Sequence, residues 1–194
     1  MIHAQVKTAE GLAALCDAEE ADIDAIVEYW HMSTQEYLMG MGADPARLGT
    51  PGETRARYLR ALRSGDPTQR SILFSIKLDG TFAGFSALNQ HDLQTNYSHW
   101  HIVNFSRRRC GLSTALYPHR IKMYFDTTNM ERLIHQTRPQ NVGVNAMLEK
   151  YVRVAETRFI ENPDGMGRPG IFNLRYVHRY DVERIFEMAR SARR

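Results

Sequence analysis

Cysteine is scarce in this chain of 194 residues: Cys16 and Cys110 are the only two, and they lie far apart. Two distant thiols offer no disulfide framework, so a reduced, cytoplasmic protein is expected. Apolar runs are short. None approaches the roughly 20 residues that a membrane-spanning helix needs, and the opening Met1-Ile2-His3-Ala4-Gln5-Val6-Lys7 lacks the apolar segment of a secretory signal. Internal repeats and low-complexity stretches are absent, and no shift in composition marks a boundary. One domain over residues 1–194 is therefore expected, and 43% apolar residues suffice for one substantial core. Net charge is only +3, which suits an anionic partner but is too small to argue for nucleic acid. Metal-ligand clusters are missing too. His99-Trp100-His101 alone lacks the further ligands of a metal site, so no metal is expected.

The apolar pattern that is present gives an order of elements. Ile23, Ile26, Val27, Trp30 and Tyr37 have helical spacing, which predicts a helix from Glu20 to Leu38 with its cap near Asp22. Gly40, Gly42, Pro45, Gly49, Pro51 and Gly52 punctuate a loop, and a second helix is read from Glu53 to Arg63. Ile72–Leu78 and Phe82–Leu88 flank Asp79-Gly80, a strong hairpin signal. A strand from His99 to Asn104, a helix from Leu112 to Phe125, a strand from Glu131 to Thr137, a helix from Val142 to Lys150 and a strand from Ile171 to Val177 follow, then a basic-ended helix from Val182 to Arg194.

Between the β-branched pair Ile102-Val103 and the helix at Leu112 stands Arg107-Arg108-Arg109-Cys110-Gly111. A basic, glycine-containing turn that opens a helix outlines a phosphate cradle: first-turn N–H groups have no intrahelical acceptor, and the helix dipole favours an anion there. Three arginines without interleaved aromatics fit one phosphate-bearing cofactor better than a nucleic acid. Cys110 lies in this electropositive loop, but no Cys-His-acid constellation supports a nucleophile.

The spacing Arg108-x-x-Gly111-x-Ser113 resembles the acetyl-CoA pyrophosphate loop of the GNAT N-acetyltransferases, whose pattern is Gln/Arg-x-x-Gly-x-Gly/Ala followed by a helix. Asn141-Val142-Gly143-Val144-Asn145-Ala146-Met147-Leu148-Glu149-Lys150 is similar to the Asn-x-Ala-Ser-Asn-x-x-Leu-Glu-Lys helix of the RimJ/RimL-like branch. The resemblance is clear from about Ile72 to Lys150. It implies an α/β (α+β) fold with a central mixed, mostly antiparallel sheet, a splayed strand pair and flanking helices. It also implies acetyl-CoA, or another acyl-CoA, as cosubstrate. An acetyl or short acyl group would pass by direct attack in a ternary complex to a small-molecule amine, or to a protein N-terminus or lysine. No membrane partner is implied, and a homodimer is left open. The alternatives are an inactive acyl-CoA-binding or scaffold domain, and an acyltransferase that takes its donor from an acyl carrier protein.

Residue by residue, the resemblance places a thioester-facing N–H within Ile102, Val103 and Asn104. The cradle falls on Arg108, Arg109, Gly111, Leu112, Ser113 and Thr114, and a pantetheine or strand contact on Asn141 or Asn145. The Glu that many relatives use as base has no counterpart, since residues 86–110 hold only Asp92 among the acids. His99 and His101 alternate on one strand and are the candidate bases, because an imidazole titrates near neutrality. The motif serine is Val144, and Leu148 stands where other branches carry a tyrosine, so Tyr151 is the candidate acid. Trp30, Tyr37, Asp44, His99 and Tyr176 are expected to line the acceptor site.

Overall fold

The computed structural model describes residues 1–63, 71–90, 95–103, 108, 110–161, 163 and 166–191, with the side chains of 71, 89, 90 and 95–99 outside the description. The strands are β1 (Ile2–Thr8), β2 (Gly11–Asp17), β3 (Ser71–Leu78), β4 (Thr81–Gln90), β5 (Thr95–Ile102), β6 (Arg132–Thr137), β7 (Glu156–Ile160) and β8 (Gly170–His178). The helices are α1 (Glu20–Met32), α2 (Gln35–Met41), α3 (Pro51–Arg63), α4 (Leu112–Thr127), α5 (Val142–Glu149) and α6 (Val182–Ser191). The strands form one sheet in the order β1-β2-β3-β4-β5-β6-β8-β7. Every pairing is antiparallel except β5 with β6.

That parallel pair is where the sheet divides. β4 follows β5 to its end at Gly84↔Ile102, and β8 follows β6 to its end at Thr137↔Asn173. β5 and β6 face each other only over Thr95↔Arg132, Asn96↔Leu133 and Tyr97↔Ile134. Beyond Tyr97 and Ile134 the two strands stay with their other neighbours and leave a fork between them.

Each face of the sheet is covered by helices. α4 and α6 pack over β1, β2 and the centre through Leu116, Ile121, Phe125 and Ile185, while α1, α2 and α3 cover Leu73, Phe85 and Ala87 through Ile23, Ile26, Trp30 and Leu38. A smaller cluster of Ile134, Phe172 and Leu174 lies along β6 and β8.

Three differences from the sequence reading have local causes. The helix expected from Glu20 to Leu38 is two, because Ser33 and Thr34 offer the backbone better partners than a continued helix does. The Ser33 hydroxyl donates to the Tyr29 carbonyl at 2.6 Å, and Thr34 caps α2 by accepting from the Tyr37 N–H at 3.2 Å. β1 and β2 were not anticipated. Ala13, Ala14, Leu15 and Cys16 have no strand preference of their own, and pairing with β3 and burial of Ala13 and Leu15 impose it. β7 is a five-residue edge strand exposed at Thr157, Arg158 and Phe159, too short and polar to carry a pattern.

Candidate functional site

Gly111 is the N-cap of α4, with φ +82°, a left-handed conformation that favours glycine. Among the described residues nothing lies within 4 Å of a Cβ built there. Gly111 accepts the first helical bond from the Ala115 N–H at 2.9 Å, and as a glycine it brings no side chain to cap the first-turn N–H groups. Leu112 is buried and anchors that turn, with Ser113 and Thr114 half-buried beside it. The Trp100 indole donates to the Ser113 hydroxyl oxygen at 2.6 Å and ties the cradle to β5. Arg108 donates through Nε to the Ile102 carbonyl at 3.0 Å and lays its guanidinium 4.7 Å from the Tyr37 ring centre. Asn104 and Arg109 lie outside the described residues.

Backbone direction on β5 follows from two contacts. The Val103 N–H donates to the Ala83 carbonyl at 2.9 Å, and a Cβ on Gly84 would come within 2.3 Å of the His101 carbonyl oxygen. His101 and Val103 therefore turn their backbone polar groups toward β4. By the alternation of a strand, Ile102 turns its N–H and C=O the other way, into the fork. Of the three candidates for the thioester-facing donor, Val103 is already engaged and Ile102 is aimed at the opening.

His101 projects to the face covered by α1–α3. Its ring stacks on Phe85 at 5.0 Å, and Trp30 meets it edge-on at 4.9 Å. Its Nδ1 lies 3.1 Å from the Tyr29 hydroxyl, which lies 3.1 Å from the Tyr37 hydroxyl and 3.4 Å from the Met41 sulfur. Burial, reinforced by the neighbouring Tyr37, pushes the Tyr29 phenol well above its usual range, so it stays neutral at any working pH. Trp30 donates to the Tyr58 hydroxyl at 2.9 Å, and burial pushes that phenol up to about 12. His101, Trp30, Tyr37, Arg108 and Ile102 are thus one connected group. Tyr29 is the member that sequence reasoning missed, for its helical spacing marks it only as core. His99 pairs through its backbone with Ala87, and its side chain lies outside the described residues.

The other expected site residues have partners of their own, and Asn145 makes the expected contact with the adjacent strand at Thr137. Tyr151 is buried on the α4 face, stacked on Tyr117 at 4.7 Å, and its hydroxyl donates to the Thr114 carbonyl at 2.9 Å. The reason lies in α4: Pro118 has no N–H to give the carbonyl four residues back, and the Tyr151 phenol supplies the missing donor. Asn145 donates to the Arg138, Pro139 and Asn141 carbonyls and accepts from Thr137 and from the buried Arg175. Its amide thereby fixes α5 to the fork end of β6. Asn141 is the N-cap of α5. Asp44 caps the 3-10 turn Pro45–Arg47, accepting from the Ala46 N–H at 3.1 Å, with Arg47 at 3.8 Å. Tyr176 sits with the β6–β8 cluster, bonded to Glu156 and covered by Arg132 at 4.7 Å. A cavity of about 430 Å³ between the ends of α5 and α6 touches Glu149, Tyr151 and Val152 but none of the cradle residues.

Among the described residues no group of three or more His, Cys, Asp or Glu side chains could hold a metal ion, and no helix is long and apolar enough to cross a membrane.

This forked sheet, with a glycine-capped helix at the fork, is the GNAT acetyltransferase fold, and the solved structures it resembles include RimJ- and RimL-type enzymes. The Mycobacterium smegmatis RimJ structure in complex with CoA-disulfide matches at a TM-score of 0.71 and 17% identity, over 96% of this chain and 94% of that one. RimL, the ribosomal L7/L12 alpha-N-protein acetyltransferase, in complex with coenzyme A matches at 0.67 and 15%, over 92% and 98%. The aminoglycoside acetyltransferase AAC(6')-Ib in complex with coenzyme A matches at 0.68 and 15%, over 89% and 98%. No family model matches the sequence, and no curated protein matches it.

Proposed function

We propose that this chain is a single acyltransferase domain that moves an acetyl or other short acyl group from acyl-CoA to an amine. The observation that carries the reading is the fork between β5 and β6, which ends beside the left-handed N-cap Gly111, where a Cβ would meet none of the described residues within 4 Å. The neighbours' names add CoA or acetyl-CoA as a ligand class, and protein and aminoglycoside acceptors as examples of the amine.

The thioester supplies the activated carbonyl; the protein supplies position. Bringing donor and amine together can remove about 7–11 kcal/mol of barrier in favourable cases. The first-turn N–H groups from Leu112 to Thr114 hold the pyrophosphate, and Gly111 lets it approach. The Ile102 N–H, aimed into the fork, meets the thioester oxygen and stabilises the charge that develops there. His101 takes the ammonium proton. With the tautomer in which Nδ1–H donates to the Tyr29 oxygen and Tyr29 donates onward to Tyr37 or Met41, the lone pair that takes the proton is on Nε2. Tyr151 is not needed as acid, because its proton is given to Thr114 and a thiolate is a tolerable leaving group.

Thiol release from acetyl-CoA over a panel of small amines and N-terminal peptides tests the proposal. With an accepted amine, His101→Gln lowers turnover about 100-fold or more while the KM for acetyl-CoA stays within twofold. Equal turnover in the variant removes His101 from the reaction. Binding of acetyl-CoA without release for any amine favours the alternative of an acyl-CoA-binding domain.

A further inference from the structure

Arg120 lies in the third turn of α4, 1% exposed, and among the described residues no carboxylate faces it. Among the described residues its one hydrogen bond is a long one, 3.3 Å to the Ser86 hydroxyl, and its Nε has no partner. Burying a guanidinium this way is costly, and burial holds its pKa below the usual range. What surrounds it instead are ring faces: Trp100 at 4.4 Å, Tyr117 at 5.2 Å and Tyr124 at 6.0 Å. Trp100 is the closest, and an indole is the best of the aromatic faces for a cation. The far side of that contact leads to the cradle, since the Trp100 N–H donates to Ser113 Oγ at 2.6 Å.

We infer that Trp100 and Arg120 are positioning residues for the cradle: Arg120 fixes the indole, and the indole holds the Ser113 oxygen so that the serine proton points to a bound phosphate. A hydroxyl has one proton. With its oxygen accepting from the indole, Ser113 keeps that proton to donate, and accepting one bond strengthens the bond it gives. Ser113 is the second residue of α4, where the first-turn N–H groups already favour an anion, so its hydroxyl adds a side-chain donor to the backbone ones. This inference rests on the acyl-CoA reading and names how this chain binds the pyrophosphate.

The test is calorimetric titration of CoA and of S-acetylpantetheine, which lacks the pyrophosphate, into the native protein, Ser113→Ala, Trp100→Phe, their double variant and Arg120→Met. Ser113→Ala and Trp100→Phe are each expected to weaken CoA about tenfold and to leave S-acetylpantetheine within twofold, because a bond to a charged phosphate is lost. The double variant is expected to match the singles, since both remove one interaction. Arg120→Met is expected to follow in the same direction. If that variant does not fold, Arg120→Lys, which keeps the charge but not the planar stack, is expected to give a smaller loss confined to CoA. Native CoA affinity in Trp100→Phe overturns the inference, as does an equal loss for both ligands. A native protein that binds neither ligand overturns the acyl-CoA reading itself, a result distinct from either.

Discussion

Strand β5 separates two kinds of polar chemistry. Toward α1–α3 it sends His101 into a nest of Tyr29, Trp30 and Phe85, where its Nδ1 meets the Tyr29 hydroxyl. Toward α4 it sends Trp100, which stands between a buried guanidinium and a helix start. On the proposed reading the first face takes up the amine's proton at His101, and the second holds an anion at the first-turn N–H groups of α4. On that reading, acid–base work and anion binding are kept on opposite sides of one strand, and the Ile102 N–H, in the plane between them, is where they meet.

Mutation should separate the two sides. The largest expected effect is at His101: the loss of about 100-fold or more in turnover has no counterpart in CoA affinity, while cradle variants show the reverse pattern. Next is the bond that replaces the missing Pro118 N–H. Tyr151→Phe leaves the Thr114 carbonyl without that donor and is expected to cost about 1–3 kcal/mol by urea unfolding. Adding Pro118→Ala, which restores an N–H to the helix, should recover part of it; no recovery means the phenol is held for packing alone.

A smaller effect should appear equally on both faces. Burial pushes Tyr58, on the α1–α3 side, and Tyr124, on the α4 side, up to about 12. Both phenols lose their protons near 10 in the unfolded chain and only near 12 in the folded one. Between these values the folded protein binds more protons, so stability that is full below about pH 10 falls as pH rises through 12, by up to about 1.4 kcal/mol per pH unit for each ring. Tyr124→Phe and Tyr58→Phe should each flatten that alkaline slope in denaturation curves taken from pH 9 to 12. Smallest is the relay: Tyr29→Phe is expected to lower turnover about threefold to tenfold and to move the acid limb of the rate profile, with Tyr37→Phe below it.

How much of this the sequence carried depends on how local each cause is. The glycine start of α4 was legible at Arg108-x-x-Gly111, where a turn opens a helix. The β3–β4 hairpin was legible from Asp79-Gly80. The break between α1 and α2 was hidden, because the helical spacing runs through Ser33-Thr34 while the bonds that stop the helix are made by those two side chains. β1 and β2 were hidden because their strand state is imposed by β3. In the site, His101 could be chosen by residue type, but Tyr29 and Arg120 could not: their partners His101 and Trp100 lie 72 and 20 residues away, and only the fold brings them together. Tyr151 was found for its hydroxyl, yet its partner depends on a proline 33 residues earlier in α4.

The central claim is that acyl-CoA enters the fork and rests its pyrophosphate on the start of α4. Amide hydrogen exchange with and without acetyl-CoA tests it directly. The expected result is new protection confined to the end of β5 and the first turns of α4, around Ile102 and from Leu112 to Leu116. Protection elsewhere on the sheet, or none at saturating acetyl-CoA, would contradict the account.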